Sequence, residues 1–319
     1  MPVDERTLIS TYFAGRSIGR KDVVLGIGDD AAVLRFEPGW DLVIATDTIA
    51  EGTHFPAAIS ARAVGHRCLA VNLSDLAAMA AEPLWCSLAL SLPKPEALWL
   101  EEFAAGLFAL AERFGVALIG GDTVRGPLSV TVTVHGRVRP GAGVTRAAAR
   151  AGDGIWVTGT PGDAVAGRYL LGADAGVPAA VRDALCQRFL YPEPRVREGL
   201  ALGSLATAML DVSDGLHDDI AKLMAASGMG AELDAGWLPL SAELRAAVAE
   251  RAIEYALTGG DDYELCFTVP EQATVRLQHM AAEWTVPVTR IGTVVREPGV
   301  RWTHQGRALA VPDTTFRHF

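Results

Sequence analysis

Six short segments of this chain place aspartate beside glycine, serine or threonine, mostly where an apolar strand is expected to end or a helix to begin. Open α/β structures bind their ligands at such strand ends. If these carboxylates lie close together in the folded chain, their mutual repulsion would be unfavourable unless a cation is bound among them. The six segments are residues 26–31, 45–48, 72–76, 120–123, 211–215 and 259–264.

The residue types in these segments suit a site for magnesium and phosphate. Magnesium prefers hard oxygen ligands, and usually binds through a few carboxylates together with substrate phosphates and waters. The neighbouring glycines allow backbone N–H groups to approach phosphate oxygens. One Asp-Gly pair alone indicates a turn or a helix cap, but six segments favour a metal site. We assign the separate pair Asp218 and Asp219 to a solvated helix face.

The length of 319 residues favours two domains. The segment RPGAG at residues 139–143 interrupts the apolar pattern, and predicts a boundary between domains at 1–139 and 140–319. Half of the residues are hydrophobic, yet every apolar run is interrupted before the ~18 residues that a membrane helix needs. The first residues show no secretory signal pattern, so we expect a cytoplasmic protein without a membrane partner.

The net charge of −10 disfavours a nucleic-acid partner. The cysteines, Cys68, Cys86, Cys186 and Cys266, are far apart and form no C-x-x-C pair. This spacing argues against structural zinc and against a disulfide framework. We expect buried, reduced thiols.

Apolar periodicity predicts an α+β first half and an α/β second half. A serine, Ser60, is the expected N-cap of a helix that continues to residue 79. The other expected helices are 5–14, 95–114, 163–171, 195–206, 216–226, 242–249 and 271–282, and the expected strands are 41–46, 84–92, 116–119, 128–138, 155–159, 208–212, 264–269 and 288–294.

Standard nucleotide-binding motifs are absent from the sequence. Residues 162–167 have the glycine spacing of a P-loop, but Arg168 and Tyr169 follow where Lys and Ser or Thr are required. No H-R-D kinase loop and no G-x-S-x-G nucleophile motif is present. The segment GTPGD at residues 159–163 is better interpreted as a strand-to-helix turn near the site.

The aspartate segments belong to an ordered series that resembles the thiamine-monophosphate kinase family over nearly the whole chain. Aspartate and glycine content alone would indicate only the wider superfamily of aminoimidazole ribonucleotide synthetase and selenophosphate synthetase. The series is GIGDDA at 26–31, TDT at 46–48, HF at 54–55, VNLSDLAAM at 71–79, GGDT at 120–123, VTGTPGD at 157–163, DVSDGL at 211–216 and GGDDYEL at 259–265.

The resemblance implies a two-domain aminoimidazole ribonucleotide synthetase-like fold. Its N-terminal α/β domain would bind metal and ATP and contribute strands to a central β-barrel in a homodimer. Its C-terminal α/β domain would close the active site. The implied reaction is phosphorylation of thiamine monophosphate by ATP, through direct in-line transfer assisted by several Mg²⁺ ions. The implied magnesium ligands are Asp30, Thr46, Asp47, Asp75, Asp122, Asp211 and Asp214.

The resemblance also implies the contacts of the two substrates. Gly121, Asp122, Arg146 and Ser213 would contact ATP, and the fork-shaped Arg146 cation suits phosphate oxygens. Without the resemblance, Arg146 would be a solvated linker residue.

His54 and Asp261 would contact the thiamine substrate. Their alternatives are a polar loop residue for His54 and a cap of the Gly-Gly turn for Asp261. Some relatives have Glu in place of Asp261, and some carry a C-terminal Trp against the substrate. This chain has no Trp there, so Phe316 is the candidate aromatic wall.

Two other functions remain open from the sequence. The first alternative is a sister enzyme of the superfamily that forms selenophosphate or activates an amide with ATP. A selenophosphate synthetase would carry a reactive Cys near its N-terminus, and the first cysteine here is Cys68. A non-catalytic nucleotide sensor could have the same fold. ADP formation that depends on thiamine monophosphate would distinguish the kinase from the sensor.

Overall fold

The computed structural model describes residues 5–57, 59–172 and 176–312. The chain divides into two compact units. The first unit comprises Met1–Leu76 and Ala81–Gly141, and the second comprises Ala77–Ala80 and Ala142–Phe319. Within the described residues, no helix has the length and apolarity needed to cross a bilayer.

The first unit is an α+β arrangement, as predicted. Its helices are α1 (Glu5–Ile9), which continues as a π-helix (Ser10–Ala14), α2 (Ala61–Ala78) and α3 (Ala97–Arg113). Its strands are β1 (Val23–Leu25), β2 (Val33–Leu34), β3 (Asp41–Ala50), β4 (Glu82–Leu92), β5 (Ala117–Arg125) and β6 (Ser129–Val138).

The main sheet of this unit has the strand order β3-β6-β4-β5 among the described residues. β3 and β4 pair antiparallel to β6, and β5 pairs parallel to β4. Along β6, Val130, Val132 and Val134 are buried and alternate with half-buried Thr131 and Thr133. This alternation with period two shows a sheet with one face in the core.

The helices α2 and α3 pack closely because small residues lie at their crossing. A Cβ atom on Gly65 would lie 2.0 Å from the Phe103 carbonyl oxygen, so only glycine permits this approach. The start of α2 confirms the predicted cap, since the Ser60 hydroxyl accepts a hydrogen bond from the Ala63 N–H at 3.2 Å.

The second unit contains a larger sheet. Its strands are β7 (Gly154–Thr158), β8 (Ala208–Val212), β9 (Gly230–Asp234), β10 (Glu264–Val269), β11 (Val288–Val295), β12 (Gly299–His304) and β13 (Arg307–Leu309). The strand order in its described part is β13-β12-β9-β11-β7-β10-β8. Neighbouring strands are antiparallel except β9 and β12, which are parallel.

In the described part of the second unit, helices and strands contribute side chains to apolar clusters, of which one is larger than another. The larger cluster joins helix residues such as Leu216 and Ile220 to strand residues such as Leu210 and Val212. The smaller cluster includes Leu185. The helices are α4 (Asp163–Leu170), α5 (Ala179–Leu190), α6 (Val196–Leu202), α7 (Leu216–Ser227), α8 (Ala242–Val248), α9 (Ala252–Thr258) and α10 (Thr274–Ala281).

The four cysteines are free and buried, which confirms the expectation of reduced thiols. Burial raises the pKa of Cys86 to about 12 and raises the pKa of Cys68 and Cys266 further. Because the thiolate is the reactive form, these thiols are chemically inert near neutral pH.

Candidate active site

A cavity of about 1110 Å³ lies in the first unit, between the GIGDDA segment and the GGDT segment. Asp29, Asp30 and Asp122 line it, together with the backbone of Gly120 and Gly121. The Asp29 side chain accepts a hydrogen bond from the Asp30 N–H, and the Asp122 side chain accepts one from the Thr123 N–H, both at 2.8 Å. Two segments far apart in sequence therefore bring exposed carboxylates to one cavity.

The GGDT segment lies inside a strand, and the expectation of a strand ending at residue 119 is wrong. β5 continues to Arg125 because its backbone remains paired with β4, with Gly121 opposite Leu88 and Asp122 opposite Ala89. Gly121 has φ +152°, and a Cβ atom there would lie 1.8 Å from the Leu88 carbonyl oxygen. The sheet itself therefore requires glycine at this position.

The TDT segment also lies inside a strand, because β3 extends to Ala50. The Asp47 N–H donates a hydrogen bond to Asn72 Oδ1 at 2.9 Å, and the buried Asn72 side chain donates to the Cys68 carbonyl oxygen. Asn72 thus joins the strand that carries Asp47 to the helix that carries Asp75. The VNLSDL motif contains this asparagine, which was not among the predicted site residues.

Thr46 and His54 have defined partners in the same unit. Thr46 Oγ1 lies 2.9 Å from Thr133 Oγ1 across the strand pair. His54 Nδ1 accepts a hydrogen bond from the Ala50 N–H at 3.0 Å, which fixes the imidazole in the turn after β3. Thr46, Asp47, His54 and Asp75 are not among the residues that line the cavity.

The second unit holds the DVSDGL segment between β8 and α7. Asp211 is buried at the end of β8, and Ser213 and Asp214 form the turn before the helix. Arg146 is exposed, and its carbonyl oxygen accepts a hydrogen bond from Ser227 Oγ at 2.8 Å. This contact places Arg146 beside the last residue of α7.

The assignment of Asp219 to a solvated helix face is wrong. Its side chain is 2% exposed, and Oδ2 accepts hydrogen bonds from the N–H groups of Ser213 and Asp214, both at 3.0 Å. The Lys222 ammonium lies 2.6 Å from Oδ1 and also contacts the Asp214 carboxylate. Burial raises the pKa of Asp219, against the opposing effect of Lys222.

Asp261 lies next to the DVSDGL segment. Its N–H donates to the Ser213 carbonyl oxygen at 2.9 Å, and its φ of +70° is a left-handed conformation that is uncommon outside glycine. The Tyr263 hydroxyl donates to Asp261 Oδ1 at 3.3 Å, and Arg168 Nη1 lies 3.7 Å from Oδ2. The structure therefore brings together Ser213 and Asp261, which were assigned to different substrates.

Asp262 fixes the turn between β7 and α4. Its buried carboxylate accepts hydrogen bonds from the Gly162 N–H at 2.7 Å and the Ala164 N–H at 3.2 Å. Burial raises the pKa of Asp262 well above its ordinary value. The GTPGD segment is confirmed as a strand-to-helix turn.

Glu264 is a buried anion that was not among the predicted site residues. Arg195 donates two hydrogen bonds to it, at 2.5 and 2.6 Å, while Arg188 Nη2 and Thr158 Oγ1 each lie at 2.7 Å. Burial alone would raise the pKa of Glu264, but the adjacent guanidinium groups hold it below its ordinary value. No sequence signal connects Glu264 with arginines that lie 69 and 76 positions earlier.

The site residues fit magnesium by their chemistry. Within residues 5–57, 59–172 and 176–312, no three His, Cys, Asp or Glu side chains form a closed metal cluster. Magnesium typically uses one or two carboxylates with substrate phosphates and waters, so a closed protein cage is not required. The exposed oxygens of Asp30 and Asp122 beside glycine backbone meet that requirement. Phe316 lies outside the described residues.

Comparison with known proteins identifies the class. Residues 28–138 match the N-terminal domain of AIR synthase related proteins, and residues 150–305 match the C-terminal domain. The two-domain α/β fold predicted from the sequence is therefore confirmed, and the chain is an AIR synthase related protein.

Individual relatives identify the family within this class of proteins. The thiamine-monophosphate kinase of Escherichia coli O157:H7 is 44% identical over 322 residues, spanning 100% of this chain and 99% of the relative. The crystal structure of thiamine-monophosphate kinase from Stenotrophomonas maltophilia K279a is 44% identical, with a TM-score of 0.88 over 97% of this chain and 99% of that chain. AaThiL complexed with AMPPCP and TMP is 33% identical, with a TM-score of 0.78 over 92% of each chain. This chain belongs to the thiamine-monophosphate kinase family.

Proposed function

We propose that this protein transfers the γ-phosphoryl group of ATP to thiamine monophosphate, giving thiamine diphosphate and ADP, as a step in thiamine diphosphate biosynthesis. The observation that carries the proposal is the 44% identity, over the full length, with a named thiamine-monophosphate kinase. The cavity between the GIGDDA and GGDT segments supports it, because it combines carboxylates with glycine backbone, as binding of a metal and a polyphosphate requires.

The proposed residues act by binding and orientation. Gly121, Asp122, Arg146 and Ser213 bind ATP, and His54 and Asp261 orient thiamine monophosphate. Asp261 is suited to a cationic thiazolium because it is a carboxylate in a rigid, hydrogen-bonded turn. Phe316 remains the candidate aromatic wall. A family relative is complexed with both AMPPCP and TMP, which supports the binding of an ATP analogue and of thiamine monophosphate by this chain.

Magnesium is part of the proposal. Asp30, Thr46, Asp47, Asp75, Asp122, Asp211 and Asp214 would hold it. When bound, Mg²⁺ neutralises the charge of two polyanionic reactants and of the transferring group. The chain's own residues then need only to align the attacking phosphate oxygen with the γ-phosphorus, so no protein nucleophile takes part.

The proposal includes a homodimer. Leu42 and Ile44 are large, exposed apolar residues on β3, an edge strand of the sheet, and such an edge is a natural surface for a second copy. The valines of the neighbouring strand β6, Val130, Val132 and Val134, are buried within the unit itself and leave β3 as the strand that presents apolar side chains to a second copy. We propose that residues 1–139 bind metal and ATP and form the dimer, and that residues 140–319 close the site. We also propose a cytoplasmic location, where ATP is available.

The test is a turnover assay with purified protein, ATP and Mg²⁺. ADP should form only when thiamine monophosphate is added, and mass spectrometry should detect thiamine diphosphate in equal amount. Unphosphorylated thiamine is the matched control substrate, because it lacks the attacking phosphate. Nucleotide binding without turnover would instead favour a sensor, and ADP formation without thiamine monophosphate would favour another enzyme of the superfamily.

A further inference from the structure

The turn that carries Ser213 and Asp214 is held by a carboxylate from the helix that follows it. Asp219 is buried on α7, and a single oxygen, Oδ2, accepts hydrogen bonds from the two consecutive N–H groups of Ser213 and Asp214. A shared acceptor for two neighbouring N–H groups fixes the orientation of the peptide between them. Hydrogen bonds to an ionised acceptor are about twice as strong as neutral ones.

The same carboxylate acts on the Asp214 side chain through Lys222. The Lys222 ammonium contacts Asp219 Oδ1 and the Asp214 carboxylate, so one cation is shared by two anions. If Asp219 lost its charge, Lys222 would pair with Asp214 alone. The charge that Asp214 presents to a metal ion would then be more fully neutralised.

The same turn is hydrogen-bonded to the loop that carries Asp261, which is proposed to bind the thiamine substrate. The carbonyl oxygen of Ser213 accepts the Asp261 N–H at 2.9 Å, and a Cβ atom on Gly260 would lie 2.5 Å from that oxygen. A shift of the Ser213 peptide would therefore move both the DVSDGL segment and the loop that carries Asp261.

We propose that Asp219 is a positioning residue for phosphoryl transfer, which fixes the backbone of Ser213 and Asp214 and, through Lys222, the Asp214 carboxylate. The inference rests on the proposed function, because Ser213 and Asp214 are its ATP and magnesium residues. Asp219 itself touches neither substrate in this role. A residue that only capped α7 would contribute to the stability of the fold and leave nucleotide affinity unchanged.

The test compares Asp219→Asn with Asp218→Asn in the full-length protein. Asparagine at position 219 retains one oxygen for the two N–H groups but loses the charge, and Asp218 is the adjacent, half-buried carboxylate on the same helix. Calorimetry with AMPPCP and Mg²⁺ measures nucleotide affinity without turnover. The loss of charge-assisted hydrogen bonds should raise the Kd of Asp219→Asn about tenfold, with the Kd of Asp218→Asn unchanged.

A double variant tests the pathway through Lys222. Asp219→Asn combined with Lys222→Met should recover part of the lost affinity, since the cation that neutralises Asp214 is gone. A lower Tm for Asp219→Asn with wild-type Kd would overturn the proposal. If Asp219→Asn does not fold, NMR amide exchange in the wild-type protein provides the test. The N–H groups of Ser213 and Asp214 should exchange slowly, and rapid exchange of either would refute the proposal. Turnover of the wild-type protein tests the proposed function separately.

Discussion

Replacing Glu264 by glutamine should strongly destabilise the second unit. The Glu264 carboxylate is fully buried and accepts hydrogen bonds from Arg195, Arg188 and Thr158. The substitution removes the carboxylate that forms the salt bridge with the Arg195 guanidinium, whose side chain is 7% exposed. Breaking one side of a buried ion pair typically costs about 3–5 kcal/mol. Because glutamine retains one acceptor oxygen, we expect about 3 kcal/mol.

The assay is thermal unfolding by differential scanning calorimetry, with urea unfolding as a second measurement. A loss of about 3 kcal/mol should lower the Tm by roughly 6–12 °C in a unit of this size. Glu254→Gln is the matched control, because Glu254 forms an ion pair with Arg251 on the surface, where screening by solvent leaves little stabilisation. Its Tm should remain close to that of the wild-type protein.

The contribution of Glu264 to the stability of the protein should change with pH in a defined direction. The pKa of Glu264 is lower in the folded than in the unfolded protein, so its contribution is complete above the unfolded value and is lost as the pH falls through the folded value. The difference in stability between wild type and Glu264→Gln should therefore be largest near neutral pH and shrink below about pH 4.3. Equal Tm values for Glu264→Gln and Glu254→Gln at pH 7 would refute the reasoning.

Four further predictions concern the proposed function. Asp75→Asn and Asp122→Asn should each lower kcat by orders of magnitude without loss of fold, because each removes the charge of a proposed metal ligand; near-normal activity at saturating Mg²⁺ would contradict the assignment. Asp261→Asn should raise the KM for thiamine monophosphate and leave the KM for Mg-ATP nearly unchanged, whereas a raised KM for ATP would remove Asp261 from the substrate pocket. Sedimentation should show a dimer, and a 33.7 kDa monomer at micromolar concentration would refute it. Initial-rate plots should intersect, since parallel lines would indicate a phosphoenzyme and a protein nucleophile.

Much of the fold could be predicted from local patterns. The strands expected at 208–212 and 264–269 coincide with β8 and β10, because each is a short apolar run that is buried throughout. The Ser60 cap could be predicted because a residue with a hydroxyl side chain directly precedes a segment with the apolar periodicity of a helix. The missed elements are short or lack a clear period, and include β1, β2, β12 and β13, together with β9, α5 and α9.

The grouping of candidate site residues could be predicted where they form short motifs, and it was missed where their contacts join distant parts of the sequence. Asp30, Asp122 and Gly121 stand in short motifs, and the structure gathers them at one cavity. Asp219 was misassigned because periodicity indicates only which face of a helix is polar. It does not indicate that a carboxylate turns back to the preceding loop. Glu264 depends on Arg188 and Arg195, and that pairing exists only once α5 and α6 are in place.

The burial of the native thiols has a practical consequence for spectroscopy. Because Cys68, Cys86 and Cys266 are hardly accessible and their thiolates are suppressed, a maleimide dye should react first with a cysteine introduced on the surface. Leu98→Cys in the first unit and Val275→Cys in the second would replace side chains that are 77% and 62% exposed. A dye at either position would then report on its own unit of the otherwise unmodified chain during nucleotide binding.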